Sequence, residues 1–253
     1  MLETYLNNRR KEKDILLMTH IVLGYPSFED SYKIIEAMVA AGVDLMELQI
    51  PFSEPIADGP VILHANQRSL AAGTTVQACI DFAETVSRSF DIPFLFMTYY
   101  NILFQYGLDR FADAMTKAGL KGAIVPDLPP EEGGDYFAAM ERRKLAPILI
   151  FSPTTPLNRM KYLGNLGKGF IYCLARKGVT GADTKFSRQL NTYLTLCRQA
   201  TGLPLALGFG VKDKADVGYL KGKVDIAVVG SETIRVMDQE GVHAVGRFIE
   251  SLR

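Results

Sequence analysis

Two acidic residues, Glu47 and Asp58, stand close together in the stretch VDLMELQIPFSEPIADGP, which covers 43–60. Its first eight residues alternate as a β-strand does, and both faces are largely apolar, which favours a parallel strand covered on both sides. The three prolines and one glycine that follow predict a loop. Glu47 is therefore expected near the carboxyl end of a buried strand, with Asp58 in the loop after it.

An acid at the end of a buried strand is costly unless it has a chemical role or a partner. A carboxyl group in such a place can give and take protons, as a general acid–base catalyst does. The alternative is a structural carboxylate that accepts hydrogen bonds from nearby backbone amides. The spacing alone leaves both interpretations of Glu47 open.

Glycine-rich turns nearer the end of the chain indicate a second kind of site. GFG (208–210) and GSE (230–232) each follow an apolar segment, and the TIRVM after the second turn can begin a helix. Glycines let backbone N–H groups approach a ligand, and a helix N-terminus favours an anion, so the two turns predict a phosphate site. The polar segment 175–187 has the length of a lid or binding loop, or simply of a mobile surface loop.

Composition excludes several classes of protein. The 253 residues include 28 Lys plus Arg and 28 Asp plus Glu, so net charge gives no reason to expect binding to nucleic acid or to an anionic membrane. No apolar run approaches the roughly 20 residues that span a bilayer, and the polar first residues lack a signal core. Cys79, Cys173 and Cys197 are far apart, which predicts neither a disulfide framework nor a metal site. We expect a reduced, cytoplasmic protein.

The elements that must position these residues alternate along the chain. A strand at 15–24 is followed by a helix at 27–42, with Ser27 as its N-cap. Further strands are predicted at 43–50, 92–99, 122–127, 146–152, 169–175, 203–210 and 224–230. Further helices are predicted at 74–90, 108–119, 131–144, 156–167, 186–202, 213–222 and 240–253.

Eight strand–helix pairs in a chain of this length predict a (β/α)8 TIM barrel that forms one domain over residues 1–253. An open, doubly wound sheet also alternates and is the competing architecture. Eight repeats without a change of composition favour the closed barrel. Chemistry in such barrels sits at the carboxyl ends of the strands, where Glu47 and Asp58 are expected.

Several motifs together resemble the tryptophan synthase alpha subunit family, in order and at the expected spacing over nearly the whole chain. In that family a strand-end glutamate is followed by a PFSDP-type turn and an ADGP segment. The matching segments are MELQIPFSEPIADGP (46–60), YYNILFQYGLDRF (99–111), PDLPPEE (126–132), YCLARKGVTGAD (172–183), LGFGV (207–211) and VVGSETI (228–234).

The resemblance implies retro-aldol cleavage of indole-3-glycerol phosphate to indole and glyceraldehyde 3-phosphate, without a metal or an organic cofactor. It implies that Glu47 is the general acid–base, and that Asp58 accepts a hydrogen bond from the indole N–H. Tyr172 would lie near the catalytic glutamate, and Thr180 would close over the site with the sixth loop. The remaining implied contacts are Gly181, Phe209, Gly210, Gly230 and Ser231 for the phosphate, and Met97, Ile124, Ile150 and His20 for or near the indole.

Four positions depart from the usual pattern of that family. Gln49 replaces a glycine and brings two hydrogen-bonding groups beside the active site, and His20 replaces a phenylalanine near the indole. Ala175 replaces a serine. Glu54 replaces an aspartate at the contact with the partner subunit. We expect the first two to affect the shape of the indole pocket, and Glu54 to affect the fit of the partner.

The family works with a pyridoxal-phosphate beta subunit in an alpha2–beta2 complex, so the resemblance implies the same partner here. Pro51, Glu54 and the loops after the third and fourth strands are expected at that contact. Two alternatives share the fold. One is a free-standing indole-glycerol phosphate lyase, and the other is a catalytically weak regulatory partner of a beta subunit.

Overall fold

The structure, a computed structural model, describes residues 1–175, 188–208 and 210–253. Its strands are β1 (Leu16–Val22), β2 (Leu45–Gln49), β3 (Phe94–Met97), β4 (Gly122–Ile124), β5 (Ala146–Phe151), β6 (Ile171–Leu174), β7 (Leu205–Gly208) and β8 (Ile226–Val229). Its helices are α1 (Leu2–Glu12), α2 (Phe28–Ala40), α3 (Pro60–Ala71), α4 (Val76–Ser89), α5 (Tyr100–Tyr106), α6 (Leu108–Lys117), α7 (Gly134–Arg142), α8 (Leu157–Leu166), α9 (Arg188–Ala200), α10 (Lys214–Leu220), α11 (Ser231–Glu240) and α12 (Val242–Ser251).

The eight strands form a closed parallel barrel in chain order, which confirms the predicted fold. Closure is made by β8, which pairs with β1 from Leu16 opposite Ile226 to Thr19 opposite Val229. An open doubly wound sheet keeps two free edges and does not close in chain order. That alternative is therefore wrong.

The apolar residues of the strands divide between two cores. Leu16, Leu45 and Leu95 point into the barrel and pack with one another, while Leu17 and Met46 point outward against the helices. Successive side chains of a strand alternate between these two sides, so each strand is apolar on both faces. Glu47 and Gln49 follow Leu45 on the inward face of β2, at the end of the strand that opens on the site.

The opposite end of the barrel is closed by α1, which was not predicted. Leu2 and Leu6 are buried against the inner core, but the rest of this helix is largely polar, so the segment shows no clear apolar periodicity of a helix. Asp44, fully buried beneath it, pairs with Lys13 at 2.6 Å and Arg9 at 3.0 Å. A buried carboxylate needs such partners, so this end carries stability and leaves the other end for function.

Two further helices were also not predicted. Helix α3 starts at Pro60, directly after the loop that carries Asp58, with the proline in the first turn. Helix α5 has seven residues, beginning at Tyr100, where the backbone N–H is accepted by both carboxylate oxygens of Asp127. Both helices brace the loops around the mouth of the barrel. Within the described ranges, no helix has the length and apolar character needed to cross a membrane.

Candidate active site

A cavity of about 380 Å³ opens at the carboxyl end of the barrel. It brings together every predicted site residue that the structure describes: His20, Glu47, Asp58, Met97, Ile124, Ile150, Tyr172, Gly210, Gly230 and Ser231. The predicted contacts Thr180, Gly181 and Phe209 lie outside the described residues. Strand ends and following loops supply the lining, as expected for a barrel of this class.

Glu47 lies on β2 with only 2% of its surface exposed. The Tyr172 hydroxyl donates to its Oε1 at 3.4 Å, and His20 Nδ1 lies 3.7 Å from its Oε2. Both of these neighbours are side chains that line the cavity. The arrangement favours the chemical interpretation of Glu47 over a carboxylate held by backbone amides.

Asp58 is half-buried in the loop between β2 and α3, and two donors hold its Oδ2. Gln49 Nε2 donates at 2.6 Å and the Tyr99 hydroxyl at 3.1 Å. Burial raises the pKa of Asp58, the Gln49 amide, the His20 ring and the Tyr99 hydroxyl lower it, and the net direction is upward. The two donors therefore favour the ionised form of a carboxylate that its surroundings tend to neutralise.

Tyr99 is a site residue that the sequence analysis missed. Its ring is fully buried and stacks on Phe52 with the centroids 5.0 Å apart, and its oxygen accepts from the Ala57 N–H at 3.2 Å. One hydroxyl thus holds both the loop backbone and the Asp58 carboxylate. The alternation along β3 contained the signal, because position 99 continues the inward face of Met97.

Gln49, noted from the sequence only as a departure, belongs to the support of Asp58. It is fully buried, and its Nε2 lies 3.4 Å from Asn66 Oδ1. Asn66, on α3, also accepts from the Phe52 N–H at 2.9 Å and donates to the Ile62 carbonyl at 2.8 Å. Asn66 was missed because α3 itself was not predicted.

Tyr172 reaches Glu47 across the barrel from β6. Its ring lies directly over Gly208 of β7, where a Cβ atom would sit 2.6 Å from the ring Cζ. Burial first, and then the nearby Glu47 carboxylate, raise the pKa of Tyr172 well above its usual range. The phenol therefore stays protonated and acts as a hydrogen-bond donor to Glu47.

The remaining wall is apolar. Met97 and Ile124 are buried on neighbouring strands, and Ile150 and Ile62 complete the lining beside the two acids. The predicted pocket residues Met97, Ile124 and Ile150 thus share one surface, which suits a flat apolar ring. The carboxyl groups of Glu47 and Asp58 line the cavity beside this apolar surface.

The predicted anion site lies at the other side of the cavity, where α11 begins at Ser231 and points its N-terminus inward. Gly210 has φ +96°, a conformation that residues other than glycine rarely adopt. Lys212 and Arg235 also line this region, and Arg235 pairs with Glu232 at 2.8 Å. Backbone N–H groups and the helix dipole favour an anion here.

In the described part of the chain, no three His, Cys, Asp or Glu side chains lie together in a way that could hold a metal ion. Cys79, Cys173 and Cys197 are buried and unpaired.

Comparison with known proteins gives a consistent result. The family model described as tryptophan synthase alpha chain matches residues 6–249. The tryptophan synthase alpha chain of Syntrophotalea carbinolica is 64% identical, and that of Desulforapulum autotrophicum 63%, each over 100% of both chains. A solved Mycobacterium tuberculosis tryptophan synthase is 28% identical with TM-score 0.93, over 99% of this chain and 96% of that one. The Legionella pneumophila subunit alpha is also 28% identical, with TM-score 0.90 and the same coverage.

Proposed function

The chain belongs to the tryptophan synthase alpha chain family, and we propose that it is the lyase subunit, which cleaves indole-3-glycerol phosphate to indole and glyceraldehyde 3-phosphate in L-tryptophan biosynthesis. One observation carries the assignment of the site: a single cavity presents Glu47 and Asp58 beside an apolar wall, with a helix N-terminus opposite. These features match the carbon–carbon bond, the indole ring and the phosphate of that substrate.

Glu47 is the proposed general acid–base. Its carboxyl group gives a proton to the indole carbon that carries the glycerol chain, which turns the ring into a cationic tautomer. The resulting carboxylate takes the proton of the hydroxyl on the adjacent side-chain carbon. The carbon–carbon bond then breaks, its electrons return to the ring, and the hydroxyl becomes the aldehyde. Tyr172 orients Glu47 through the hydrogen bond to Oε1.

Asp58 is the proposed electrostatic partner of the ring. An ionised carboxylate near the indole N–H stabilises the positive charge that develops when the ring carbon is protonated. Gln49 and Tyr99 hold one carboxylate oxygen, Oδ2, and leave Oδ1 for the substrate. The phosphate is proposed to rest on backbone N–H groups around Gly210, Gly230 and Ser231.

A pyridoxal-phosphate beta subunit is the proposed partner, in an alpha2–beta2 complex that hands indole from one site to the other. Among the residues expected at the contact, Glu54 is exposed, whereas Pro51 is buried and unavailable for direct contact. Ile56 is 71% exposed in the same loop, and Phe104 is 64% exposed on α5. Two large exposed apolar side chains, one in this loop and one on α5, support a protein contact at this end of the barrel. Buried, unpaired cysteines agree with the proposed reducing, cytoplasmic setting.

The test is product analysis with and without a matched beta subunit. The chain has no tryptophan, so in the assay of the chain alone released indole can be followed by its fluorescence against a low protein background. We expect slow formation of indole and glyceraldehyde 3-phosphate by the chain alone and faster formation when the beta subunit is added. Brisk turnover by the chain alone, with no complex, supports the free-standing lyase instead. A complex whose alpha site forms no product supports the regulatory alternative, and neither product nor complex refutes the assignment.

A further inference from the structure

Two buried polar atoms on adjacent strands make no direct hydrogen bond to any residue that the structure describes. They are Nε2 of His20 and Oε1 of Gln49, and both side chains are buried. An imidazole N–H is a donor and an amide oxygen an acceptor, so the two atoms are complementary. The register places His20 opposite Glu47, two positions before the pair of Val22 and Gln49.

The contact between Gln49 and Asp58 decides which way the amide points. Asp58 Oδ2 accepts a hydrogen bond at 2.6 Å, so the group facing it must be the amide nitrogen of Gln49. The amide oxygen is then left for a donor, and the unpaired Nε2 of His20 is the complementary group. With a proton fixed on Nε2, the other ring nitrogen, Nδ1, faces Glu47 Oε2 at 3.7 Å.

This tautomer leaves two arrangements of a single proton between His20 and Glu47. The proton lies on Nδ1 and the pair is an imidazolium and a carboxylate, or it lies on Glu47 and the neutral ring accepts from the carboxyl group. Either arrangement keeps a proton next to the carboxyl group that must deliver one. This inference rests on the proposed function. We propose that His20 and Gln49 are positioning residues: they connect Asp58 to Glu47 through a series of hydrogen bonds and retain the proton that Glu47 transfers.

The charged surroundings of His20 support this role. Glu47 faces it from β2 and Asp58 from the following loop, while Tyr172 of β6 reaches the same carboxylate, and Glu232 and Arg235 pair with each other at the cavity wall beyond β8. Burial lowers the pKa of His20, but Glu47, Asp58 and Gln49 raise it, and the net direction is upward. The His20 ring therefore keeps its proton to a higher pH than an ordinary histidine would.

Kinetics of wild type, Gln49→Leu and His20→Phe test the proposal, each with the matched beta subunit present. Gln49→Leu removes the hydrogen bond to Asp58 and the proposed one to His20. It should lower kcat about 10- to 100-fold with a much smaller change in KM. His20→Phe should move the basic limb of the kcat profile to lower pH, because the imidazole that shares the proton with Glu47 is gone. The matched control is Gln77→Leu, since Gln77 donates to Asp81 at 2.9 Å on the surface, and it should keep wild-type kcat.

A second readout does not depend on activity. The chain has three histidines, so the ring ¹⁵N resonances of His20 can be assigned by their loss in His20→Phe. We expect a proton on Nε2, and a lower pKa of His20 in both Glu47→Gln and Gln49→Leu. The resonances of His64, which lies outside this chain of contacts, should not move.

The outcomes separate this inference from the proposed function. Wild type that forms no indole with its beta subunit refutes the proposed function, and the proton-transfer role of His20 and Gln49 with it, while the resonances still test the pairing. The inference alone is refuted if wild type is active, the kcat of Gln49→Leu is within about twofold of wild type, and Glu47→Gln leaves the pKa of His20 unchanged. If Gln49→Leu does not fold, the pH profile of His20→Phe and the resonances in Glu47→Gln decide the question.

Discussion

Gly208→Ala is a small substitution for which the structure predicts a large effect. The added Cβ would lie 2.6 Å from Tyr172 Cζ and closer still to Cε1 and Oη, which is closer than real Cβ atoms approach other heavy atoms. The ring must therefore move away from β7. Gly208 lies in extended strand, so the strain arises from the ring and not from the backbone. Such overpacking typically costs about 1–3 kcal/mol of stability.

The same movement should impair catalysis. The Tyr172 hydroxyl is 3.4 Å from Glu47 Oε1, at the outer limit of a hydrogen bond, so any retreat of the ring breaks the contact. An ordinary hydrogen bond contributes about 0.5–1.5 kcal/mol, which corresponds to a loss of about 2- to 10-fold in kcat/KM. We expect activity to fall by that amount, and the melting temperature by about 2–4 °C for each kcal/mol.

Urea or thermal unfolding, together with indole release, measures both effects. Gly218→Ala is the matched control, because nothing lies within 4 Å of a Cβ at that helical position and alanine should stabilise α10 by up to about 1 kcal/mol. In a Tyr172→Ala background the extra Cβ meets no ring, so Gly208→Ala should then change stability little. A folded Gly208→Ala enzyme with wild-type activity would refute the proposed orientation of Tyr172.

Three further predictions follow from the site. Asp58→Asn should lower activity at least about a hundredfold. The pKa of Asp58 is raised in the folded state, so its contribution to stability is full below the unfolded pKa and is lost as pH rises through the folded pKa. Asp58→Asn should therefore stabilise the fold most near neutral pH, and melting curves at acidic and neutral pH check the sign. Inorganic phosphate or sulfate should compete with substrate, and a crystal grown in sulfate that shows no anion near Gly210 and Gly230 would contradict the site. Tyr99→Phe should lower kcat/KM about tenfold or more and raise the pKa of Asp58 further, whereas Tyr106→Phe, whose hydroxyl bonds to Gln77 on the surface, should do neither.

The barrel was predictable because its determinants are local. Each strand is a short apolar run bounded by turn residues, and the helix at Phe28–Ala40 begins at Ser27, whose side chain accepts from the Asp30 N–H as an N-cap should. Helix α1 was missed because burying Leu2 and Leu6 requires the barrel that they close. No periodic signal in a largely polar segment could reveal that contact.

The residues that meet in the candidate site were predictable from the sequence, but their contacts were not. The strand-end pattern placed Glu47, and the proline-rich loop placed Asp58, on the cavity side of the barrel. The hydrogen bonds from Gln49 and Tyr99 to Asp58 depend on side chains from two strands and a loop meeting at one oxygen. Spacing along the chain contains no information about such convergence. Gln49 was identified only as an unusual residue, and its direct support of Asp58 is a structural finding.

The central claim is that Glu47 transfers the proton that breaks the carbon–carbon bond. The most direct measurement compares the single-turnover rate of indole formation by wild type and Glu47→Gln, each saturated with indole-3-glycerol phosphate and a matched beta subunit. Glutamine keeps the shape and can still accept from Tyr172, so folding and substrate binding should remain nearly intact while the rate falls at least about a hundredfold. A Glu47→Gln enzyme that forms indole at nearly the wild-type rate would contradict the account.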